Sequence, residues 1–385
     1  MVRGVFGLDG WPHATSRSRT APTTSAAATT GSDPSHARHE VAQGQLASQT
    51  LARYGFADTW IGRGETIGIL RYGGVFDEDD FVAALRDHGV PAPTIEFVSV
   101  DDASKAGHHD DALDVELAID VQVAAAHAPG ARIVLYATPH GERGLLDALS
   151  RALFDSAPSP SIFTISFGYP ERRWTQAALA RLDELAAVAA CLGVTLLAAS
   201  GDSGAAIDER GEPHVSAPAS NRYVLACGGT IIDTTGSEAA WERSGGGFSA
   251  HAEAPPWQRE ALGASADGSV PNQRLGVPDV AGQVLPGYHL KFRGKAYYGT
   301  GTSAIAPLWA AFIARLNERL GVRAGFIAPL LYRTGGGPAP LRAIVSGGND
   351  RYSARDGWSA VTGLGVPDGE ALFTRLAENT GSVKP

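Results

Sequence analysis

Sulfur is nearly absent from this chain, with two cysteines and one methionine in 385 residues. Cys191 and Cys227 permit at most one internal disulfide and are too few for a metal–thiolate centre. Both stand in apolar surroundings, which reads as two buried free thiols. Charge is also sparse, at 19% of residues, and 41 acidic against 32 basic side chains leave a net charge of -9. That balance argues against nucleic acid as a partner. No apolar run is long enough to cross a bilayer, and residues 1–20 lack the apolar core of a secretory signal. A membrane partner is therefore not expected, and the residues themselves name no compartment. No internal repeat is present. What the chain does have is apolar bulk: 44% hydrophobic residues, enough for a sizeable core in one large or two ordinary domains. The oligomeric state does not follow from the sequence, and a monomer is favoured.

Composition changes once. Residues 12–45 are rich in Ser, Thr, Ala, Pro and Arg without apolar periodicity and read as a flexible linker. From residue 46 to 385 the pattern is globular. Short β-branched runs recur at Thr66–Leu70, Ile95–Val100, Arg132–Ala137, Ile162–Phe167, Val194–Ala199 and Tyr223–Cys227. Stretches with helical spacing, such as Phe81–Asp87, Gly144–Leu153 and Gln176–Cys191, lie between them. This alternation predicts an α/β fold, a doubly wound, mostly parallel sheet with helices on both faces. Active sites in such sheets gather at the carboxyl ends of the strands.

The segment Gly299-Thr300-Gly301-Thr302-Ser303 runs straight into an apolar, helix-like stretch, Leu308–Leu320. A Gly-Thr-Ser turn at a helix start presents a serine hydroxyl as a nucleophile, with small neighbours that admit a substrate backbone. Ser303 then needs a base. Among the 11 histidines, His127, His140 and His214 included, none opens a His-Gly-Thr motif, and the first strand ends in Arg71-Tyr72-Gly73-Gly74 rather than aspartate. Gly201-Asp202-Ser203-Gly204 with Ala126-His127 echoes the chymotrypsin-like signatures, but those belong to all-β barrels. Carboxylates offer another base. Glu116 and Asp120, four apart, share a face in helix or strand. Apolar alternation around them suits a strand, whereas length and Ala124-Ala125-Ala126 suit a helix, which is the reading adopted. Buried beside Ser303, the pair shares a proton and yields a general base with an orienting acid. On a solvated face it does neither. Asp202 follows an apolar strand and reaches the catalytic rim, where a protonated carboxyl donates to an oxyanion. Alternatively it bonds its own turn.

Taken together these residues resemble the sedolisin family of serine-carboxyl peptidases, in its kumamolisin-like branch. The matches run in order over residues 46–385. Besides the Gly-Thr-Ser turn and the acidic pair they include Ala128-Pro129-Gly130-Ala131, Ile165-Ser166-Phe167-Gly168, Ser200-Gly201-Asp202-Ser203-Gly204 and Val224–Thr230. Gly245-Gly246-Gly247, Val277-Pro278-Asp279-Val280-Ala281 and Thr362-Gly363-Leu364-Gly365 complete them. The resemblance implies a subtilisin-like fold, secretion, and endopeptidase activity on polypeptides at acid pH. By position Ser303 is the nucleophile, Glu116 its base and then acid, Asp120 the residue that orients Glu116, and Asp202 the oxyanion donor. The three glycines read either as an edge for an extended substrate or as a flexible loop.

Four departures accompany the resemblance. Arg71 stands where kumamolisin-like enzymes extend the carboxylate chain with glutamate. Close to Glu116, its charge is expected to lower the Glu116 pKa and shift activity toward less acidic pH. Phe167 replaces a tryptophan of the same network and cannot donate a hydrogen bond. The family's calcium site uses two aspartates, and Ala343 and Ser359 hold those positions, so no calcium is expected, although Asp350 and Asp356 leave room for an altered site. Finally, Val5-Phe6-Gly7-Leu8-Asp9 looks like the last residues of a pro-domain, so that residues 1–11 are expected to be a remnant of its C-terminus without the folded body. Two classes follow: an active acid endopeptidase, or an inactive sedolisin-like binding or scaffold protein. A subtilisin-type enzyme ranks third.

Overall fold

A computed structural model of the chain describes residues 19–22, 44–101, 103, 107, 109–155, 159–206, 213–262, 273–334 and 339–380. Residues 5–9, read as a pro-domain remnant, lie outside this set, as does most of the segment read as linker. Among its described residues, Arg19–Pro22 forms a strand antiparallel to Lys295–Thr300, which in turn pairs with Tyr288–Phe292, and Gln45 bridges Tyr288.

The central sheet has eight strands: β1 (Thr66–Arg71), β2 (Ile95–Ser99), β3 (Arg132–Ala137), β4 (Ile162–Ile165), β5 (Thr195–Ala199), β6 (Val224–Ile232), β7 (Glu238–Ala240) and β8 (Val280–Leu285). Their order is β7-β6-β5-β4-β1-β3-β2, with β8 also on β6, and every pairing is parallel except β7 with β6. Alternate residues of these strands enter two separate cores. Ile67, Ile69, Ile133, Leu135, Ile162 and Leu197 face one, and Leu70, Val134, Tyr136, Phe163, Ile165 and Leu196 the other. Apolar side chains on both faces explain why these strands read as continuous apolar runs.

Helices α1 (Glu78–His88), α2 (Asp111–His127) and α5 (Thr302–Leu320) cover the first face; α3 (Glu142–Phe154) and α4 (Gln176–Cys191) cover the second. The ambiguous acidic segment is helical. Asp110 caps α2 by accepting the amide groups of Ala112 and Leu113 at 3.0 and 3.1 Å. Nearly all of α2 beyond its first turn is buried, so its pattern shows no clean stripe. Cys227 is buried as expected, but Cys191 is exposed, because it is the last residue of α4 and precedes a half-exposed Leu192. Gly245–Gly247 are likewise neither a free edge nor a loose loop. Gly245 N–H donates to Gly201 O at 2.7 Å, and a Cβ on Gly246 would stand 1.8 Å from the Ala360 carbonyl oxygen, so backbone packs directly on backbone.

Asp279, between β8 and the strand before it, is buried. Its carboxylate accepts Ala226 N–H and Tyr332 O–H, each at 2.8 Å. Burial nevertheless pushes its pKa from 3.8 up to about 6. The folded chain therefore holds this proton over a pH range in which the unfolded chain has lost it. Stability is highest below the unfolded value, falls as pH rises toward 6, and then levels, a loss of about 3 kcal/mol at 1.36 kcal/mol per pKa unit. A urea titration of the Ser303→Ala protein, which cannot digest itself, is expected to show its midpoint falling from about pH 4 to about pH 6.5. Asp279→Asn is expected to flatten that fall, and an unchanged slope would assign it to other groups.

Candidate active site

All the sequence-predicted residues lie at the carboxyl ends of parallel strands or on the two helices packed beneath them. Arg71 ends β1, Ser166 follows β4 and Asp202 follows β5, while Glu116 and Asp120 project from α2 and Ser303 from the first turn of α5. The strand that delivers the serine rests on α2, for a Cβ on Gly299 would meet Ile119 at 2.9 Å. Gly301, the N-cap of α5, sits at φ +107°, which only glycine adopts easily.

Pro307 shapes the turn further. It has no N–H to give the Ser303 carbonyl four residues earlier, so that acceptor is released from the helix ladder. Ser166 Oγ lies 3.2 Å from it and also donates to Asp120 Oδ1 at 2.5 Å. One hydroxyl thus ties the acidic helix to the backbone of the candidate nucleophile. Glu116, Asp120 and Ser303 are all fully buried. Burial first, and then the charge of Glu116, push the Asp120 carboxyl well above the ordinary carboxylate range, with the Ser166 hydrogen bond opposing them. Two carboxyls so placed titrate as a pair sharing a proton. The solvated-face reading of this pair is thereby set aside.

Asp202 does not bond its own turn through the contacts made by Oδ1. That oxygen accepts Thr302 N–H and Thr302 Oγ1–H, both at 2.8 Å, across 100 residues of sequence. Arg243 holds the loop from behind, with Nε and Nη2 on the Asp202 carbonyl at 3.1 and 2.9 Å. Ser303 Oγ is buried and makes no hydrogen bond among the described residues, Glu116 included. Such contacts often close only when substrate binds.

Among the described residues no histidine bonds Ser303 Oγ as a base would. His127 is buried inside α2, where Nδ1 bonds the Val123 carbonyl oxygen at 2.8 Å and burial pulls its pKa down to about 3. His140 stacks on Tyr72 at 4.9 Å, and His214 lies with Nδ1 3.0 Å from Ala206 O. Arg71 turns back on its own loop, donating to the carbonyls of Gly73 (2.8 Å) and Gly74, and covers the Phe97 ring at 5.8 Å. Burial lowers its pKa, and the carboxylate that offsets this is Asp114, two residues before Glu116. A charge that lowers the pKa of a general base extends its range to lower pH, so the direction first expected from Arg71 reverses. Phe167 packs edge-to-face on Tyr72 at 5.0 Å, filling its place with an apolar ring.

The residues at the expected calcium positions do not suit the ion. Ala343 has no side-chain oxygen. Ser359 Oγ lies 2.9 Å from Thr362 Oγ1, and its backbone exchanges two 2.9 Å bonds with Gly363. Arg355 Nε donates to the carbonyl oxygen of Trp358, the residue before Ser359, at 2.8 Å. Asp350 and Asp356 are exposed, and among the described residues no cluster of three His, Cys, Asp or Glu side chains is found.

Sequence reasoning missed Ser166 and Thr302 as members of the site. Both lay inside quoted motifs, at a strand end and beside the nucleophile, which was the available signal.

An eight-stranded sheet with a serine-bearing helix start and two carboxyl groups at its rim defines a hydrolase of subtilisin-like fold. The chain is similar in structure to a Pseudomonas sedolisin, a serine-carboxyl proteinase solved with pseudo-iodotyrostatin: TM-score 0.75 and 24% identity, covering 88% of this chain and 99% of that one. In sequence it is similar to kumamolisin of Bacillus sp. (strain MN-32), 37% identical over 410 aligned positions that span all of this chain and 72% of kumamolisin. It is also 30% identical to tripeptidyl-peptidase sed5 of Aspergillus fumigatus, over 87% of this chain and 66% of that protein. No family model matches it. The chain belongs to the sedolisin family of serine-carboxyl peptidases.

Proposed function

We propose that this peptidase is an endopeptidase working at acid pH through Ser303, Glu116, Asp120 and Asp202. The observation that carries the reading is the convergence on one serine. Ser166 joins Asp120 to the Ser303 backbone, and Thr302, the residue before Ser303, joins it to Asp202. In the reaction Ser303 Oγ attacks the peptide carbonyl while Glu116 accepts its proton, and Asp120 orients Glu116 and shares its charge. Protonated Asp202 donates to the oxyanion. Glu116 then gives the proton to the leaving amine, and water cleaves the acyl-enzyme by the reverse sequence. Unless burial raises the Asp202 pKa strongly, an ionised carboxyl base and a protonated carboxyl donor coexist only in acid, which is the working pH this reading takes.

The same reading takes polypeptides as substrates, a monomer as the working form and a secreted location. No helix among the described residues is long and apolar enough to cross a membrane. It also takes the enzyme to fold without calcium. Millimolar calcium or a chelator should then move the melting temperature by less than about 1 °C, whereas saturation of a real site at 100 times its Kd would add about 2.7 kcal/mol.

Internally quenched peptides with both ends blocked, assayed from about pH 3 to about pH 7 beside Ser303→Ala, test the function. Acid-dependent cleavage lost in the variant is the expected result. Cleavage restricted to peptides with a free amino terminus would make this an exopeptidase. Absence of Ser303-dependent cleavage at every pH would favour the inactive binding protein.

A further inference from the structure

Helix α5 starts at a residue that cannot cap it, because Gly301 has no side chain to offer the first amide groups. The acceptor comes instead from the loop after β5, as Asp202 Oδ1. It receives Thr302 N–H at 2.8 Å and Thr302 Oγ1–H at 2.8 Å. The Thr302 hydroxyl is itself oriented, since its oxygen accepts Gly201 N–H at 3.1 Å and its proton is left for Asp202. A carboxyl oxygen that accepts two hydrogen bonds is the carbonyl-type oxygen. A proton added to the group goes to the other one.

We propose that Thr302 is a positioning residue that places the Asp202 proton: by holding Oδ1 as an acceptor it directs the proton to Oδ2, and with it the hydrogen bond given to the oxyanion. This rests on the reading of Asp202 as the oxyanion donor. Without the Thr302 hydroxyl the two oxygens come closer to equivalence, and the proton is shared between a productive and an unproductive site. Among the described residues Arg243 is bound to the Asp202 carbonyl, with Glu242 beside it in sequence, and the buried Glu116–Asp120 pair is tied through Ser166 to the Ser303 backbone. Their fields act on the whole carboxyl. The two Thr302 donors are directed at a single oxygen and so choose between them.

A helix cap with no part in catalysis would show the same contacts, so the test must read protonation. Thr302→Val keeps the shape and the N–H and removes the hydroxyl, whereas Thr302→Ser keeps the hydroxyl. With kcat and KM measured across pH on a quenched peptide, Thr302→Val is expected to lower kcat about tenfold or more with KM little changed. Its alkaline limb is expected to move to higher pH, since a carboxylate that loses a donor holds its proton more tightly. Thr302→Ser is expected to restore both. An alkaline limb unmoved in Thr302→Val, or no rescue by serine, would overturn the proposal and leave the contact structural. Thr302→Ala, read in the same way, serves if the valine protein does not fold. Asp202→Ala in the same assay separates the two levels. A large loss of kcat there with an unmoved limb in Thr302→Val defeats this inference alone, whereas full activity of Asp202→Ala defeats the oxyanion reading and this inference with it.

Discussion

Ser303→Ala is expected to lower kcat for peptide cleavage by a factor on the order of 10⁵ while leaving the fold and the denaturation midpoint unchanged. The separation of the two effects follows from the structure. Ser303 Oγ is buried but has no hydrogen-bond partner among the described residues, so its removal strands no donor or acceptor. The contacts that hold the turn use other groups: the Ser303 carbonyl with Ser166, and the amide and hydroxyl of Thr302 with Asp202. Glu116→Gln keeps the shape but cannot take a proton, and its loss is expected to approach that of Ser303→Ala, because residues that act as a unit fail together. Single-turnover kinetics on a quenched peptide measures both. A Ser303→Ala protein as active as the parent would move the nucleophile elsewhere.

The second large effect is expected at Asp202. Asp202→Ala removes the proposed oxyanion donor, a loss expected at about 10²–10³ in kcat, and also removes the acceptor that caps α5, at a cost of about 1 kcal/mol in stability. Asp202→Asn distinguishes these. Its amide oxygen can still accept from Thr302, so the cap is largely kept, and its amide nitrogen can donate without first being protonated. The asparagine variant is therefore expected to recover part of the lost kcat and to lose the alkaline limb that Asp202 protonation creates. If asparagine and alanine were equally inactive, with unaltered pH dependence, Asp202 would be a structural cap only.

Much of the fold could be read from the chain because both faces of a parallel sheet are buried. Arg132–Ala137 and Gln176–Cys191 came out with the same bounds in sequence and structure, since apolar run and helical period both stop where the elements do. The run at Ile162–Phe167 overreached: Phe167 continues its apolar texture, but the strand ends at Ile165 and Ser166 turns its hydroxyl to Asp120. Gly245–Gly247 misled for a different reason. Glycine spacing records that something comes close, and here it is the chain's own backbone at Ser200 and Ala360. Cys191 looked buried because its neighbours in sequence are apolar, whereas exposure depends on which side of α4 its last residue occupies. Within the site, the acidic pair and the serine were legible by residue type and spacing. Ser166 and Thr302 were not, because their importance lies in contacts spanning 46 and 100 residues, which no local pattern records. Arg71 shows the same limit: its position suggested an effect on Glu116, but not that its guanidinium donates to the Gly73 and Gly74 carbonyls and has Asp114 as a charge partner.

The central claim is that a buried carboxyl pair, not a histidine, activates Ser303. The pH dependence of kcat/KM on a blocked, internally quenched peptide tests it most directly, because that profile reports the ionisations of the free enzyme's base and acid. Carboxyl chemistry predicts a maximum in acid and a fall toward neutral pH as Asp202 loses its proton, with both limbs absent from Ser303→Ala. Activity that instead rises through about pH 6.5 and stays high to pH 8 or so, as a histidine base requires, would contradict it.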